Sequence, residues 1–200
     1  MTGASLANRV GEDQKNTYLD AALEGWKWFQ EAELINDDHL VNDGVGDDCK
    51  NRHDAVLTYN QGAIIGALVE LASATSDDSY LDPATDIANA VIAPGSPLLN
   101  GDGILADACD LNEDCKDGDG SAFKGVFIRN LRKLNDKRPK DEWREFMERN
   151  AQSIWNKNLQ LVDEGCRNGL YWAGPFTDID EPVAQAVALD ALTAAFAATK

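Results

Sequence analysis

Three pairs of adjacent aspartates are the residues whose type and spacing could do chemistry: Asp37-Asp38, Asp47-Asp48 and Asp77-Asp78. Two carboxyl groups about 5 to 5.5 Å apart can act as nucleophile and acid/base in the retaining hydrolysis of a glycosidic bond, and neighbours in a loop can reach that separation. With 35 acidic residues among 200, however, three such pairs are expected largely by chance. Each pair alone is therefore weak support for carboxylate catalysis.

The acidic segment that begins at Asp110 matches only the first half of a calcium-binding loop. Oxygen ligands stand at its positions 1, 3 and 5. Position 6 is Cys115 where the sharp turn needs glycine, and position 12 is Ser121 where a bidentate glutamate belongs. Neither the cysteines nor the two histidines have zinc-site spacing, and phosphate-binding and dinucleotide-binding glycine motifs are missing from the sequence. The sequence therefore favours an ordinary acidic loop and predicts no metal and no cofactor.

Aromatic and amide side chains cluster where three apolar helices are predicted to begin. Thr58-Tyr59-Asn60-Gln61-Gly62 opens one helix, Ser121 to Asn130 opens the next with Phe123 and Lys124, and Tyr171-Trp172 precedes the third. Aromatic platforms with amides and a few charges suit sugar rings, which offer C–H faces and a ring of hydroxyls. The alternative is that the aromatics pack the loops and the polar groups cap the helices.

The charge of the chain limits its partners. Its 18 Lys and Arg against 35 Asp and Glu give a net charge of −17, and such a surface repels polyanions. Nucleic acid and anionic membranes are therefore not expected as main partners. No segment approaches the roughly 18 to 20 apolar residues of a membrane span, and the first residues lack the basic lead and apolar run of a signal peptide.

All four cysteines, Cys49, Cys109, Cys115 and Cys166, fall in predicted loops. This placement indicates disulfides and an oxidising compartment, with free thiols as the alternative. Four cysteines allow three connectivities. The short loop between Cys109 and Cys115 favours that pair, which leaves Cys49 with Cys166.

Apolar residues recur at spacings of three and four in six segments, so the elements that carry these residues are helices. The helices are predicted to begin near residues 18, 59, 81, 123, 141 and 182. Asp82 and Pro83 are the predicted N-cap and first-turn proline of the third helix. Alternating patterns of useful strand length are missing, although residues 103–107 and 169–172 could form short strand-like pieces.

The helix starts repeat with a period of about 60 residues, as expected for stacked helix pairs. Long connections at 34–58, 94–120 and 158–180 alternate with short ones at 75–80 and 136–139. Antiparallel packing places the three long loops on one rim. The second helix of each pair is the more apolar and is predicted to lie inside, with the aromatic-bearing first helices outside. This alternation is typical of an α/α toroid with a pocket at one rim.

Several motifs, in this order along nearly the whole chain, resemble those of glycoside hydrolase family 76, the endo-α-1,6-mannanases and their fungal relatives. They are Trp26-Lys-Trp28, Leu34-Ile-Asn36, Leu40-Val-Asn-Asp-Gly44, Thr58-Tyr-Asn-Gln-Gly62 with the apolar run to Leu71, Gly103-Ile-Leu, Phe123 to Leu131, Asn150 to Trp155, and Trp172-Ala-Gly-Pro175. The resemblance implies an all-α fold, an (α/α)6 toroid of twelve helices. The six predicted helices, with the tail of a seventh at residues 4–10, make about half of it as three αα-hairpins. Residues 1–200 are thus expected to be one partial domain whose N-terminal half is missing.

The resemblance also implies an activity, the retaining hydrolysis or remodelling of α-1,6-linked mannan. The family's catalytic pair of adjacent aspartates belongs to the N-terminal half, so no catalytic residue is expected here. Asp37 and Asp38 are accordingly interpreted as non-catalytic.

The matching positions imply that the residues near the sugar cleft are Tyr59, Asn60, Gln61, Lys124 and Trp172. The expected partner is mannan or a mannooligosaccharide, and the expected location is secreted or attached to a fungal cell wall. A non-catalytic carbohydrate-binding or pseudoenzyme module, or an inactive truncated fragment, is the alternative.

Overall fold

The computed structural model describes residues 2–111, 115, 119–163, 165–177 and 182–198. Within them the α-helices are α1 (Thr2–Ala7), α2 (Glu12–Glu31), α3 (Thr58–Thr75), α4 (Leu81–Ile92), α5 (Ala108–Leu111), α6 (Phe123–Lys137), α7 (Asp141–Lys157) and α8 (Pro182–Ala198). Short 3-10 turns at Asp78–Tyr80 and Asp119–Ala122 lead into α4 and α6. Strands β1 (Leu159–Val162) and β2 (Gly165–Asn168) form an antiparallel hairpin with Leu159 opposite Asn168.

Helices α3, α6 and α8 form an inner layer because glycines let their backbones approach. A Cβ on Gly62 of α3 would lie 2.5 Å from the Cα of Phe127 in α6. A Cβ on Gly125 of α6 would lie 2.7 Å from Cγ1 of Val187 in α8. Helices α3 and α8 are apolar on almost every face, as is typical of helices covered from several sides.

The outer helices α4 and α7 are amphipathic and bury one apolar face. In α7 the buried stripe contains Trp143, Phe146, Met147 and Ile154, at spacings of three, one and seven. Helix α4 packs against α3 and α7 packs against α8, while α1 and α2 pack against each other and against α3. The predicted half-toroid of three αα-hairpins is confirmed.

Local boundaries differ from the predictions where short polar turns intervene. Helix α2 begins at Glu12, ahead of the predicted start near residue 18. Asp82 is not an N-cap, because a 3-10 turn precedes α4 and Asp82 lies inside the helix, which begins at Leu81. Asp77 caps the 3-10 turn instead, by accepting from the Ser79 N–H. Residues 169–172 form no strand, and the segment 103–107 supplies only the isolated bridge Leu99–Leu105. The hairpin β1–β2 lies instead at the start of the third long connection.

The cysteine prediction is half right. Cys109 and Cys115 form a disulfide. Cys49 and Cys166 are exposed free thiols, so the predicted bond between them is wrong. Cys49 lies in the loop that contacts the end of α2, where the Lys50 ammonium donates to the Glu31 carbonyl. Cys166 lies in the β1–β2 hairpin beside α8.

None of the helices in the described part of the chain has the length and apolar character that a membrane span requires.

Candidate functional site

The first turn of α3 holds the chain segment Val41–Asp43 against the rim, which we define as the end of the inner layer where α3, α6 and α8 begin. The Gln61 side chain is completely buried. Its Oε1 accepts from the Val41 N–H at 2.7 Å, and its Nε2 donates to the Val41 carbonyl at 2.8 Å and to the Leu57 carbonyl at 3.0 Å. The predicted ligand Gln61 therefore fixes backbone and offers no polar atom to solvent.

Tyr59 and Asn60 converge on one carboxylate oxygen two residues further along this segment. The Tyr59 hydroxyl donates to Asp43 Oδ1 at 2.6 Å, and Asn60 Nδ2 donates to the same oxygen at 2.9 Å. The backbone N–H of Asp43 donates to the Ala55 carbonyl, so the main chain is fixed as well. Asp43 is exposed, and its Oδ2 has no hydrogen-bond partner within the described part of the chain.

These contacts set the charge states at the rim. The hydrogen bonds from Tyr59 and Asn60, and more weakly the charge of Arg52, hold the pKa of the Asp43 carboxyl below its ordinary value. The hydrogen bond to Asp43, together with partial burial, raises the pKa of Tyr59 to about 12. At neutral pH the rim therefore presents a carboxylate held by a neutral phenol.

An aromatic pair lies beside this carboxylate. The rings of Tyr59 and Phe123, the first aromatic residues of α3 and α6, are 4.5 Å apart between centroids with an interplanar angle of 38°. Both side chains are half-buried, so part of each ring faces solvent. Aromatic C–H faces next to a hydrogen-bond acceptor suit the alternating apolar and hydroxyl surfaces of a pyranose.

Lys124 belongs to a buried ionic network beneath the rim. Its side chain has 0% exposure, and its ammonium contacts both oxygens of Asp110, at 2.5 and 2.6 Å. Asp110 Oδ2 also accepts from the Asp107 N–H at 2.9 Å. Asp107 in turn accepts from the N–H and the hydroxyl of Thr58, at 2.7 and 2.6 Å, at the start of α3. Burial raises the pKa of Asp107 despite these two hydrogen bonds.

Trp172 packs over this network. Lys124 Nζ lies 5.8 Å from the centroid of its ring, and only 1% of the Trp172 surface is exposed. Its indole nitrogen is buried without a hydrogen-bond partner among the described residues. Trp172 lines one side of a cavity of about 250 Å³, together with Asp110 and Pro175.

The five predicted ligands therefore separate into two layers. Tyr59 alone is half-buried at the rim surface, whereas Asn60, Gln61, Lys124 and Trp172 are buried and support it from below. The sequence interpretation missed Asp43, although it lies in the Leu40–Gly44 motif that contributed to the family resemblance. The three adjacent aspartate pairs are all exposed in turns, and Asn36 Oδ1 accepts from the N–H groups of Asp38 and Leu40.

A half-ring of three helical hairpins with aromatic and polar groups at one rim defines half of an (α/α)6 toroid. The chain belongs to glycosyl hydrolase family 76, whose sequence pattern it matches over residues 2–200. No curated protein matches the sequence.

Solved structures share this fold over nearly the whole chain. The α-1,6-mannanase GH76A of Salegentibacter sp. HEL1_6 is 28% identical with a TM-score of 0.76, covering 94% of this chain and 54% of that one. A variant of that mannanase, inactive through replacement of two consecutive aspartates by alanine, is solved in complex with α-1,6-mannotetrose, with 30% identity, a TM-score of 0.70 and the same coverage.

Two further structures show the same half-length match. The Lin0763 protein of Listeria innocua is 26% identical with a TM-score of 0.76, covering 97% of this chain and 52% of that one. Dfg5 of Chaetomium thermophilum, in complex with glucosamine, shares the fold at 20% identity and a TM-score of 0.74, covering 98% and 49%. The chain spans about half the length of these solved relatives.

Proposed function

We propose that this chain supplies one half of the sugar cleft of a retaining glycosidase or transglycosylase that acts on α-1,6-linked mannan. The observation that carries the proposal is the rim itself, where an oriented carboxylate on Asp43 lies beside the Tyr59–Phe123 aromatic pair. Family membership and the α-1,6-mannotetrose complex of a relative support this class of substrate.

The catalytic carboxylates are proposed to lie in the half of the family fold that this chain does not span. In the described residues every adjacent aspartate pair is exposed in a turn, whereas a catalytic pair is expected to line a cleft. We infer that residues 1–200 form a single partial domain that binds substrate without cleaving it.

The proposal is tested by calorimetric titration of the 200-residue chain with α-1,6-mannotetraose, with maltotetraose as the control glycan. Saturable binding of the mannan fragment and weaker binding of the control are expected. In a parallel assay the same chain is expected to release no reducing ends from α-1,6-mannan. Equal affinity for both glycans contradicts the substrate assignment. Hydrolysis by the chain alone contradicts the proposal that the catalytic carboxylates lie in the other half of the family fold.

A non-catalytic carbohydrate-binding module is the second candidate, favoured by the same exposed position of the aspartate pairs. It differs in one outcome. When this chain is joined to the half of the family fold that it does not span, the enzyme proposal predicts activity on α-1,6-mannan, whereas the binding-module proposal predicts none.

A secreted or cell-wall location is part of both proposals and is supported by the Cys109–Cys115 disulfide, since such bonds persist in oxidising compartments.

A further inference from the structure

We propose that Asp43 Oδ2 is the hydroxyl-binding atom of this rim and accepts hydrogen bonds from two adjacent hydroxyls of one pyranose, with Tyr59 and Asn60 acting as positioning residues. This inference rests on the proposed function and gives its site a specific ligand contact. It also reverses the roles predicted from the sequence, in which Tyr59 and Asn60 contact the sugar themselves.

The hydrogen-bond geometry carries the argument. The hydroxyl of Tyr59 and the amide N–H of Asn60 are both donated to Asp43 Oδ1, at 2.6 and 2.9 Å. A hydroxyl has one proton to donate, so Tyr59 has none left for a sugar. The second carboxylate oxygen retains its acceptor capacity, and the residue is exposed.

The surrounding backbone is arranged to hold that oxygen in place. Gln61 binds both polar groups of Val41, and the antiparallel bridge between Asn42 and Val56 fixes the next residue. The three consecutive residues Tyr59–Gln61 thus all bind the segment that carries Asp43. Because these contacts hold the acceptor in place before the ligand binds, it loses little side-chain entropy on binding.

The chemical class of ligand follows from the charge and the neighbours. An ionised carboxylate accepts hydrogen bonds and donates none, and charge-assisted bonds to it are strong. A neutral polyol supplies the donors without the repulsion that an anionic ligand would meet on a chain of net charge −17. The adjacent rings of Tyr59 and Phe123 suit the apolar face of the same sugar.

The test is a double-mutant cycle measured by calorimetry with α-1,6-mannotetraose on the 200-residue chain. Asp43→Asn replaces the accepting Oδ2 by an amide donor and is expected to weaken binding about tenfold. Tyr59→Phe keeps the ring on Phe123 and is expected to weaken binding about threefold. In the Asp43→Asn background, Tyr59→Phe is expected to add no further loss, because the hydroxyl acts through the carboxylate.

Asp37→Asn is the matched control, since it removes an exposed carboxylate from the same long loop, and it is expected to bind as the unsubstituted chain does. Melting curves of each variant separate lost binding from lost folding, and if Asp43→Asn melts early, unchanged affinity of Tyr59→Phe overturns the inference by itself. Unchanged affinity of Asp43→Asn, or a Tyr59→Phe loss that is equal in both backgrounds, overturns this inference alone. Failure of the unsubstituted chain to bind the glycan overturns the proposed function as well.

Discussion

The Asp43 carboxylate at the rim and the Tyr59 phenol that donates to it shift each other's pKa. Asp43 accepts from Tyr59 and Asn60, and these two bonds lower its own pKa while raising that of Tyr59 to about 12. Because the folded-state pKa of the Tyr59 phenol lies above its ordinary value of 10.0, its hydrogen bond to Asp43 stabilises the folded chain fully below pH 10. This contribution to the free energy of unfolding is lost as the pH rises through about 12.

The phenol therefore reports on the carboxylate. We predict that Asp43→Asn shifts the Tyr59 titration from about 12 toward the ordinary value of 10.0, because a neutral amide oxygen attracts the phenolic proton less than a carboxylate does and does not repel the phenolate. The measurement is an ultraviolet pH titration of phenolate absorbance, with Tyr59→Phe identifying which of the four tyrosines contributes the late step. A late step that survives Asp43→Asn shows that the Tyr59–Asp43 hydrogen bond is not its cause.

The buried ion pair under the rim predicts a large loss of stability when it is broken. Asp110→Asn leaves the fully buried Lys124 ammonium without its counter-charge, and we expect unfolding in urea to require about 3 kcal/mol less free energy. The matched control is Asp102→Asn, which breaks the exposed pair with Lys157 and is expected to cost less than about 1 kcal/mol. Equal losses for the two variants contradict a desolvated pair at Lys124.

At the scale of helices, the inner layer depends on a close approach between α3 and α6. We predict that Gly62→Ala lowers the free energy of unfolding by about 3 kcal/mol, because its Cβ would lie 2.5 to 2.6 Å from backbone atoms of Val126 and Phe127, which cannot rotate away. Chemical denaturation of both proteins measures this difference.

Gly25 in α2 provides the matched control, since it is also helical and a Cβ there meets nothing within 4 Å. Gly25→Ala is expected to stabilise the chain by about 0.5 to 1 kcal/mol, through the lower conformational entropy of the unfolded chain. Tolerance of Gly62→Ala to the same degree contradicts the close α3–α6 packing.

How far the sequence predicts each element depends on the range of the interactions that form it. The starts of α6, α7 and α8 follow from periodicity within a few residues, and the pairing of hairpins follows from the long and short connections. Asp43 was missed as a site residue because its partners Tyr59 and Asn60 are 16 and 17 residues away. Lys124 was predicted to face sugar because nothing local shows that Asp110 folds back onto it.

At the scale of the whole molecule, the half-toroid ends in two open sides. On α8, Leu189 and Phe196 lie two turns apart and are 56% and 66% exposed, away from the Val187 side that packs on α6. On the other side, Trp28 is 46% exposed beside an apolar cavity of about 510 Å³ lined by residues of α1, α2 and α3. In a closed ring of this fold, such faces are covered by neighbouring hairpins.

The open sides predict that the 200-residue chain self-associates when it is isolated. Burying one large apolar side chain contributes about 1.5 to 3 kcal/mol, so placing charge on both α8 positions removes much of the driving force. The double variant Leu189→Glu/Phe196→Glu is expected to shift the chain toward monomer in light scattering at matched concentrations. Leu161→Glu is the control, because Leu161 is 80% exposed on the β1–β2 hairpin rather than on α8 or α2, and it is expected to leave the assembly unchanged. A monodisperse monomer with cooperative melting in the unsubstituted chain contradicts the prediction, since it would mean that these faces are stable in water without a neighbour.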